Sequence, residues 1–384
     1  RRVTLVQKIV PIVDISRYLD GSDPMGVVLE LRHAATRVGF FQVVGHGVPH
    51  ELIDSTRQAA RRFFARPQDQ KSVSGCLSLG EASNWRGYEH FASDNKEAFE
   101  IGLKTQGRVD AAGRPLPLHG DNLWPPGDPD FRHTVTAYHT ATTNLARQLL
   151  GAMAWALGLD PRYFETKVRE PLAHLRLWKY PPHTELAAHK DHGFLTVLLQ
   201  DQCYGGLQVL RRVQPKAVPV QKQSVAQDRS ALDGDLESRE IAEEIALAST
   251  LSQNQSETVW LDVPVIPHAF VINVGRLFEI FCQETFPATI HRVRYTPDKT
   301  ARPETSQPRI SLALFFAPDW DVTVVPPSVL RAPDVSQVCS VQSGPHILFG
   351  YRWQQYVNSG EIPDVKAAKR RALEDISVLA CHDP

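Results

Sequence analysis

Several absences narrow the field first. The 384 residues hold only 5 cysteines, Cys76, Cys203, Cys282, Cys339 and Cys381, an odd number scattered without paired spacing. That is neither a disulfide framework nor a zinc ribbon; it fits a reducing compartment, so a cytoplasmic location is expected. There is no run of about eighteen or more apolar residues, so no membrane-spanning helix is expected. The formal net charge is −1. With no basic run interleaved with aromatics, nothing predicts a nucleic-acid partner or an anionic membrane surface. The chain opens at Arg1 rather than methionine, so the native start is expected to lie upstream. Its length suits one domain with embellishments and a sizeable core.

What is present is concentrated in His189-Lys190-Asp191-His192-Gly193-Phe194-Leu195-Thr196, together with His291. Two neutral imidazoles and one carboxylate can hold Fe(II) and leave about half of an octahedral coordination sphere open, which suits oxygen activation. In an extended segment, residues i and i+2 face the same way, so His189 and Asp191 can reach one metal with Lys190 turned aside. His291 must then arrive from a separate strand. Taken alone, His-x-Asp is a weak signal. His183 and His192 also lie close by; structural or substrate-facing roles are expected for them. His46 sits in a Gly-His-Gly turn and is expected to be structural.

Other motifs follow in order. They are Gly205-Gly206-Leu207-Gln208-Val209, Trp260-Leu261-Asp262-Val263-Pro264, Phe270-Val271-Ile272-Asn273-Val274-Gly275, His291-Arg292-Val293, and Pro308-Arg309-Ile310-Ser311 running on to Phe315-Phe316-Ala317-Pro318. Upstream stand Val10-Pro11-Ile12-Val13-Asp14, the stretch from Gly39 to Pro49, and Lys96-Glu97-Ala98-Phe99-Glu100. In this order the chain resembles the isopenicillin N synthase-like branch of the Fe(II)/2-oxoglutarate-dependent oxygenases, from about Val10 to about Pro318.

The resemblance implies that His189, Asp191 and His291 bind iron and are the catalytic centre. It implies that Arg309 and Ser311 hold the distal carboxylate of 2-oxoglutarate, and that Tyr180 touches it too. A guanidinium fork fits a carboxylate with two parallel hydrogen bonds, and a serine two residues along a strand faces the same way. The implied cofactors are Fe(II), 2-oxoglutarate and O2, with ascorbate as an accessory. The implied reaction is hydroxylation, desaturation or ring formation on a small organic molecule in specialised metabolism, with release of succinate and CO2. A monomer is expected.

The chain departs from the family at Trp178, where many members have Asn, and at Gly275-Arg276, where they have Gly-Asp. Arg276 is expected to be a solvated strand-end charge. Both changes bear on substrate identity, not on the metal. Two rival readings use the same residues. An oxidase of the isopenicillin N synthase or ethylene-forming type needs no 2-oxoglutarate and also carries Arg-x-Ser; succinate formation separates it. A non-catalytic small-molecule binder would take up no oxygen.

Periodicity predicts helices over 26–38, 50–65 and 130–158, the last stopped by Gly158 and Pro161. A short strand is expected over 39–44. From Leu172 onward, short β-rich runs alternate with Gly and Pro: 172–180, 194–200, 206–211, 269–274, 289–295 and 309–317. A helical half followed by many short strands suggests a β-sandwich or barrel-like core with helices outside. The resemblance sharpens this to an α+β, mainly β chain with a double-stranded β-helix, or jelly-roll, core and the metal at its mouth. The expected organisation is an N-terminal region over 1–165, a catalytic core over 166–320 and a C-terminal extension over 321–384 ending in a helix over 362–380. An insertion of roughly forty residues, about 212–257, interrupts the core, its second half a plausible helix over 232–252. Such loops cost little stability and often carry function, so a lid or partner contact is weighed against a tolerated insertion. Phe194, Phe316 and Trp85 suggest an aromatic wall, with core packing the blander fate of each.

Overall fold

The computed structural model describes residues 10–73, 85–104, 108–109, 113, 116–202, 205–212, 258–294, 308–330, 341–343 and 346–347. The insertion and the final helix expected from sequence lie outside them.

The chain begins with strand β1 (Ile12–Asp14), helices α1 (Ser16–Leu19) and α2 (Pro24–Val38), strand β2 (Phe40–Val44), and helices α3 (His50–Phe64) and α4 (Gln68–Lys71). A hairpin of β3 (Gly87–Phe91) and β4 (Lys96–Gly102) precedes the long helix α5 (Pro129–Ala156). Then come β5 (Leu172–Tyr180), β6 (Leu186–His189), β7 (Leu195–Leu199), β8 (Leu207–Arg212), β9 (Thr258–Asp262), β10 (Phe270–Val274), helix α6 (Arg276–Phe281), β11 (His291–Val293), β12 (Arg309–Ala317), β13 (Thr323–Val324) and β14 (Val341–Gln342).

Local chemistry explains the helix ends. Asp23 and Asp128 cap α2 and α5 by accepting from Gly26 N and Phe131 N, and each is followed by Pro at the first helical position. Gly39 closes α2 at φ 66, a left-handed angle that suits glycine.

The strands form an eight-stranded sheet in the order β1-β2-β10-β7-β12-β5-β4-β3 and a four-stranded sheet in the order β6-β11-β8-β9. A two-stranded pair, β13 and β14, is separate. This is the jelly-roll core with flanking helices. Because side chains alternate, one face of the large sheet sends Phe99, Leu175, Leu177, Val197, Leu312 and Leu314 into the main core shared with α2, α3 and α5. The opposite face looks into the barrel. There Phe40, Leu207, Val209, Val271 and Val293 form a second apolar cluster linking the two sheets.

Two expectations need correcting. Arg276 does not end a strand: it is the first residue of α6, its side chain 17% exposed and paired with Glu279 at 2.7 Å. The extended reading of the metal motif holds only to His189, where β6 ends; Asp191 lies just beyond it. Phe194 and Phe316 are in the main core, and Trp85 is in a smaller cluster with Leu118 and Leu172, so packing accounts for all three.

Candidate metal and cosubstrate site

His189 ends β6 and His291 begins β11. The two residues are direct cross-strand partners, with ring centroids 4.3 Å apart. Asp191 Oδ1 lies 3.6 Å from His189 Nε2 and 3.7 Å from His291 Nε2. Each residue therefore offers one ligand atom within 4.8 Å of the others, the group of three metal-ligating side chains found among the described residues. Neither His183 nor His192 joins it; His192 packs edge-on against His346 at 5.6 Å. His46 accepts from Val48 N and contacts His268 O, the structural role expected of it.

The surrounding bonds orient all three candidate ligands. His189 Nδ1 lies 2.9 Å from Ala187 O and His291 Nδ1 lies 3.1 Å from Thr289 O. A carbonyl can only accept, so both Nδ1 atoms carry the proton and both Nε2 lone pairs are left for a metal. Asp191 Oδ2 accepts from Thr196 Oγ1 at 2.6 Å and Asn273 Nδ2 at 2.8 Å, which leaves Oδ1 facing the histidines. Phe40 stacks obliquely on His291 at 5.0 Å.

Electrostatics suit a cation. Burial pushes the Asp191 carboxyl up, but His291, His189 and the bonds from Thr196 and Asn273 outweigh it and hold the group below its usual range. Burial, helped by His189, drives His291 down to about 4, so its imidazole is neutral at neutral pH. Asp191 and His291 are 9% and 8% exposed, whereas the His189 side chain is 32% exposed, so the open side of the cluster lies at His189.

Glycine makes the Asp191 turn possible. A Cβ on Gly275 would meet Gly193 O at 2.1 Å, so the two backbones touch. That contact lets Arg276 N donate to Asp191 O at 2.7 Å and Gly275 N to Phe194 O at 2.9 Å.

Arg309, Ser311 and Tyr180 come together on β12 and β5. Arg309 pairs with Tyr180 in register, and its guanidinium lies 3.9 Å over the Tyr180 ring. Ser311 is two residues further along the same face. That face is the one turned toward the His189, Asp191 and His291 cluster: Phe315, on the same side of β12, is in register with Thr196, which donates to Asp191. Arg309 Nη2 is buried and makes no hydrogen bond among the described residues. A buried donor without an acceptor is costly, so this atom fits an incoming carboxylate. Behind it, the Asp201 carboxylate pins the start of β12 by accepting from Ile310 N at 2.8 Å and is itself held by Arg61.

Sequence reasoning missed Thr196, Asn273 and Asp201. The available signal for Asn273 was a lone amide in an otherwise apolar, fully buried strand.

Residues 10–127 match the family described as non-haem dioxygenase in morphine synthesis N-terminal. Residues 171–232 and 243–318 match the 2OG-Fe(II) oxygenase superfamily. The chain is 31% identical over 318 residues to the 2-oxoglutarate-dependent dioxygenase caaD of Aspergillus niger, covering 76% of this chain and 81% of that one. It is 26% identical over 347 residues to homoarginine-6-hydroxylase 2-ODD-C23 of Glycine max, covering 83% and 88%. In fold it is similar to a putative 2OG-Fe(II) oxygenase family protein from Caulobacter crescentus, with a TM-score of 0.67 at 23% identity over 90% of this chain and 99% of that one.

A jelly roll with a His-Asp-His cluster in its mouth defines a non-haem metalloenzyme scaffold, and the chain belongs to the 2OG-Fe(II) oxygenase superfamily, in its isopenicillin N synthase-like group. It is an Fe(II)- and 2-oxoglutarate-dependent dioxygenase that uses O2 and acts on a small molecule. Among the described residues, no helix is long and apolar enough to cross a membrane.

Proposed function

We propose that His189, Asp191 and His291 hold the iron through Nε2, Oδ1 and Nε2, and that Arg309, assisted by Ser311 and Tyr180, holds the distal carboxylate of 2-oxoglutarate. The observation that carries this reading is a complementary pair: three ligand atoms aimed at one point, and a buried guanidinium nitrogen without an acceptor on the same barrel face. Fe(II) with 2-oxoglutarate and O2 supplies an oxidant able to take hydrogen from an unactivated carbon, releasing succinate and CO2. The chain's own task is positioning. Thr196 and Asn273 keep Asp191 Oδ1 turned to the metal, Tyr180 keeps the Arg309 fork flat, and the barrel wall excludes water from the reacting centre.

The substrate is a small organic molecule of specialised metabolism, and the soybean relative's hydroxylase activity supports hydroxylation as the first outcome to test. We place the enzyme in the cytoplasm as a monomer. The test is succinate release from 2-oxoglutarate under air with Fe(II). Wild-type protein should form succinate, and His189→Ala and Asp191→Ala should form none. Succinate at the wild-type rate from either variant contradicts the assignment.

A further inference from the structure

The barrel face that carries Ser311 continues without a break to the edge of the sheet. Ser311 pairs with Trp178, Trp178 with Ala98, and Ala98 with Glu89, so these four side chains stand in one row across β12, β5, β4 and β3. Adjacent strands lie about 4.8 Å apart, so Glu89 is about 14 Å along the sheet from Ser311. The row is floored by aromatic rings. Phe91 lies 5.5 Å from Trp178, Trp178 stacks on Tyr180 at 5.5 Å and 24°, and Tyr180 carries the Arg309 guanidinium.

Among the described residues, the charges around this platform are matched except at Arg309, whose free Nη2 is assigned above to 2-oxoglutarate, and at Glu89. Arg176, whose guanidinium lies 4.9 Å over the Trp178 ring, is paired with Glu100. Glu100 also meets His174 at 2.9 Å. Lys96, 5.9 Å over the same ring, is paired with Asp94 at 2.8 Å. Arg86 is bound to His174 and to Leu118 O. Glu89 is half-buried and feels Arg176, Glu100 and Lys96 only at a distance; it makes no hydrogen bond or ion pair among the described residues. Burial pushes its carboxyl up to about 7 against the pull of Arg176. A desolvated carboxyl with no donor is costly unless a ligand provides one.

We propose that Glu89 is the recognition group for the prime substrate, and that this substrate carries an N–H donor held by the Glu89 carboxyl while its flat or apolar body lies along the part-exposed edge of the Trp178 ring. The donor is either a neutral amide-type N–H or a cationic amine or guanidine. The proposal rests on the oxygenase reading only for placing oxidation at the metal end of the same face.

The test uses the Fe(II)-loaded full chain with 2-oxoglutarate and two matched pairs of probes. They are 2-quinolone against N-methyl-2-quinolone, and N-methylbenzylamine against benzyl methyl ether. Succinate release is read under air and the melting temperature is read anaerobically, each against probe concentration. In wild type, the N–H member of one pair should act at a concentration at least about tenfold lower than its partner, as expected when a buried polar group is left unpaired. Glu89→Leu should erase that ratio. Glu89→Gln should preserve it for the quinolone pair and erase it for the amine pair, which separates the neutral from the cationic source. Glu89→Thr serves the same comparison if the leucine variant does not fold. No preference in wild type within either pair, or a preference that survives Glu89→Leu, overturns the proposal. A Glu89-dependent melting preference would sustain it whether or not succinate forms, so the recognition claim and the oxygenase reading fail separately.

Discussion

Replacing Arg309 tests the proposed cosubstrate half of the site separately from the proposed metal half. Arg309→Lys keeps a cation at the start of β12 but removes the planar fork, and Arg309→Leu removes both. The lost contact has no substitute nearby, because Arg309 Nη2 is buried without a partner among the described residues and Ser311 offers only a neutral hydroxyl. A hydrogen bond to a charged group is worth about 1.5–3 kcal/mol. At about 1.4 kcal/mol per decade, losing one bond weakens 2-oxoglutarate binding about ten- to a hundredfold in Arg309→Lys, and further in Arg309→Leu. Metal affinity should stay within about twofold, because His189 and His291 belong to the four-stranded sheet and not to β12. The assay is the KM for 2-oxoglutarate at saturating Fe(II), paired with calorimetric binding of 2-oxoglutarate to the Mn(II)-substituted protein. A KM within twofold of wild type in Arg309→Leu would refute the reasoning.

Other outcomes follow from the same geometry. Thr196→Val and Asn273→Leu each free one bond on Asp191 Oδ2, and Mn(II) affinity measured by chelator competition should fall about ten- to a hundredfold; unchanged affinity would mean that Asp191 needs no orienting. Gly275→Ala drives a Cβ into Gly193 O, so it should lower both melting temperature and metal affinity; a well-folded variant with full affinity would contradict the close-contact account. Phe278 is fully buried against Phe164, Phe194, Phe281 and Phe286, so Phe278→Ala should cost about 3–5 kcal/mol in denaturant unfolding, and a loss under 1 kcal/mol would contradict that packing. His139 is buried and driven down to about 4, from an ordinary value of 6.5, while facing Ala173 O. The unfolded chain therefore binds the proton first, and this part of the stability is complete above pH 6.5 and lost as pH falls toward 4. His139→Gln should flatten the fall in melting temperature over that window, and an unaltered slope would exclude His139 as its source.

The His189, Asp191 and His291 cluster and the Arg309–Ser311 pair were legible because short motifs carry them; strand spacing sets Arg309 and Ser311 on one face, whereas Asp191 joins His189 from just beyond the end of β6. The runs at 172–180 and 309–317 coincide with β5 and β12, where apolar residues alternate with barrel-facing ones. The hairpin of β3 and β4 was not predicted, because its strands carry Glu89, Lys96, Glu97 and Glu100, and charge reads as surface. Three of them are accommodated by pairing instead: Lys96 with Asp94, Glu97 with Lys71, Lys179 and Tyr88, and Glu100 with Arg176 and His174. α6 was missed because six residues give too little periodicity to detect, and Arg276 gained its partner Glu279 only through that helical turn. Asp201 was invisible because its role depends on Arg61 and Ile310, both more than a hundred residues away.

The most direct test of the central claim is an anaerobic Fe(II) titration with and without 2-oxoglutarate, followed by the weak visible charge-transfer band of the chelated metal. The account predicts a band that needs both components, saturates at one iron per chain and is absent in Asp191→Ala. Iron that binds without ever giving the band in the presence of 2-oxoglutarate, or a band that persists in Asp191→Ala, would contradict it.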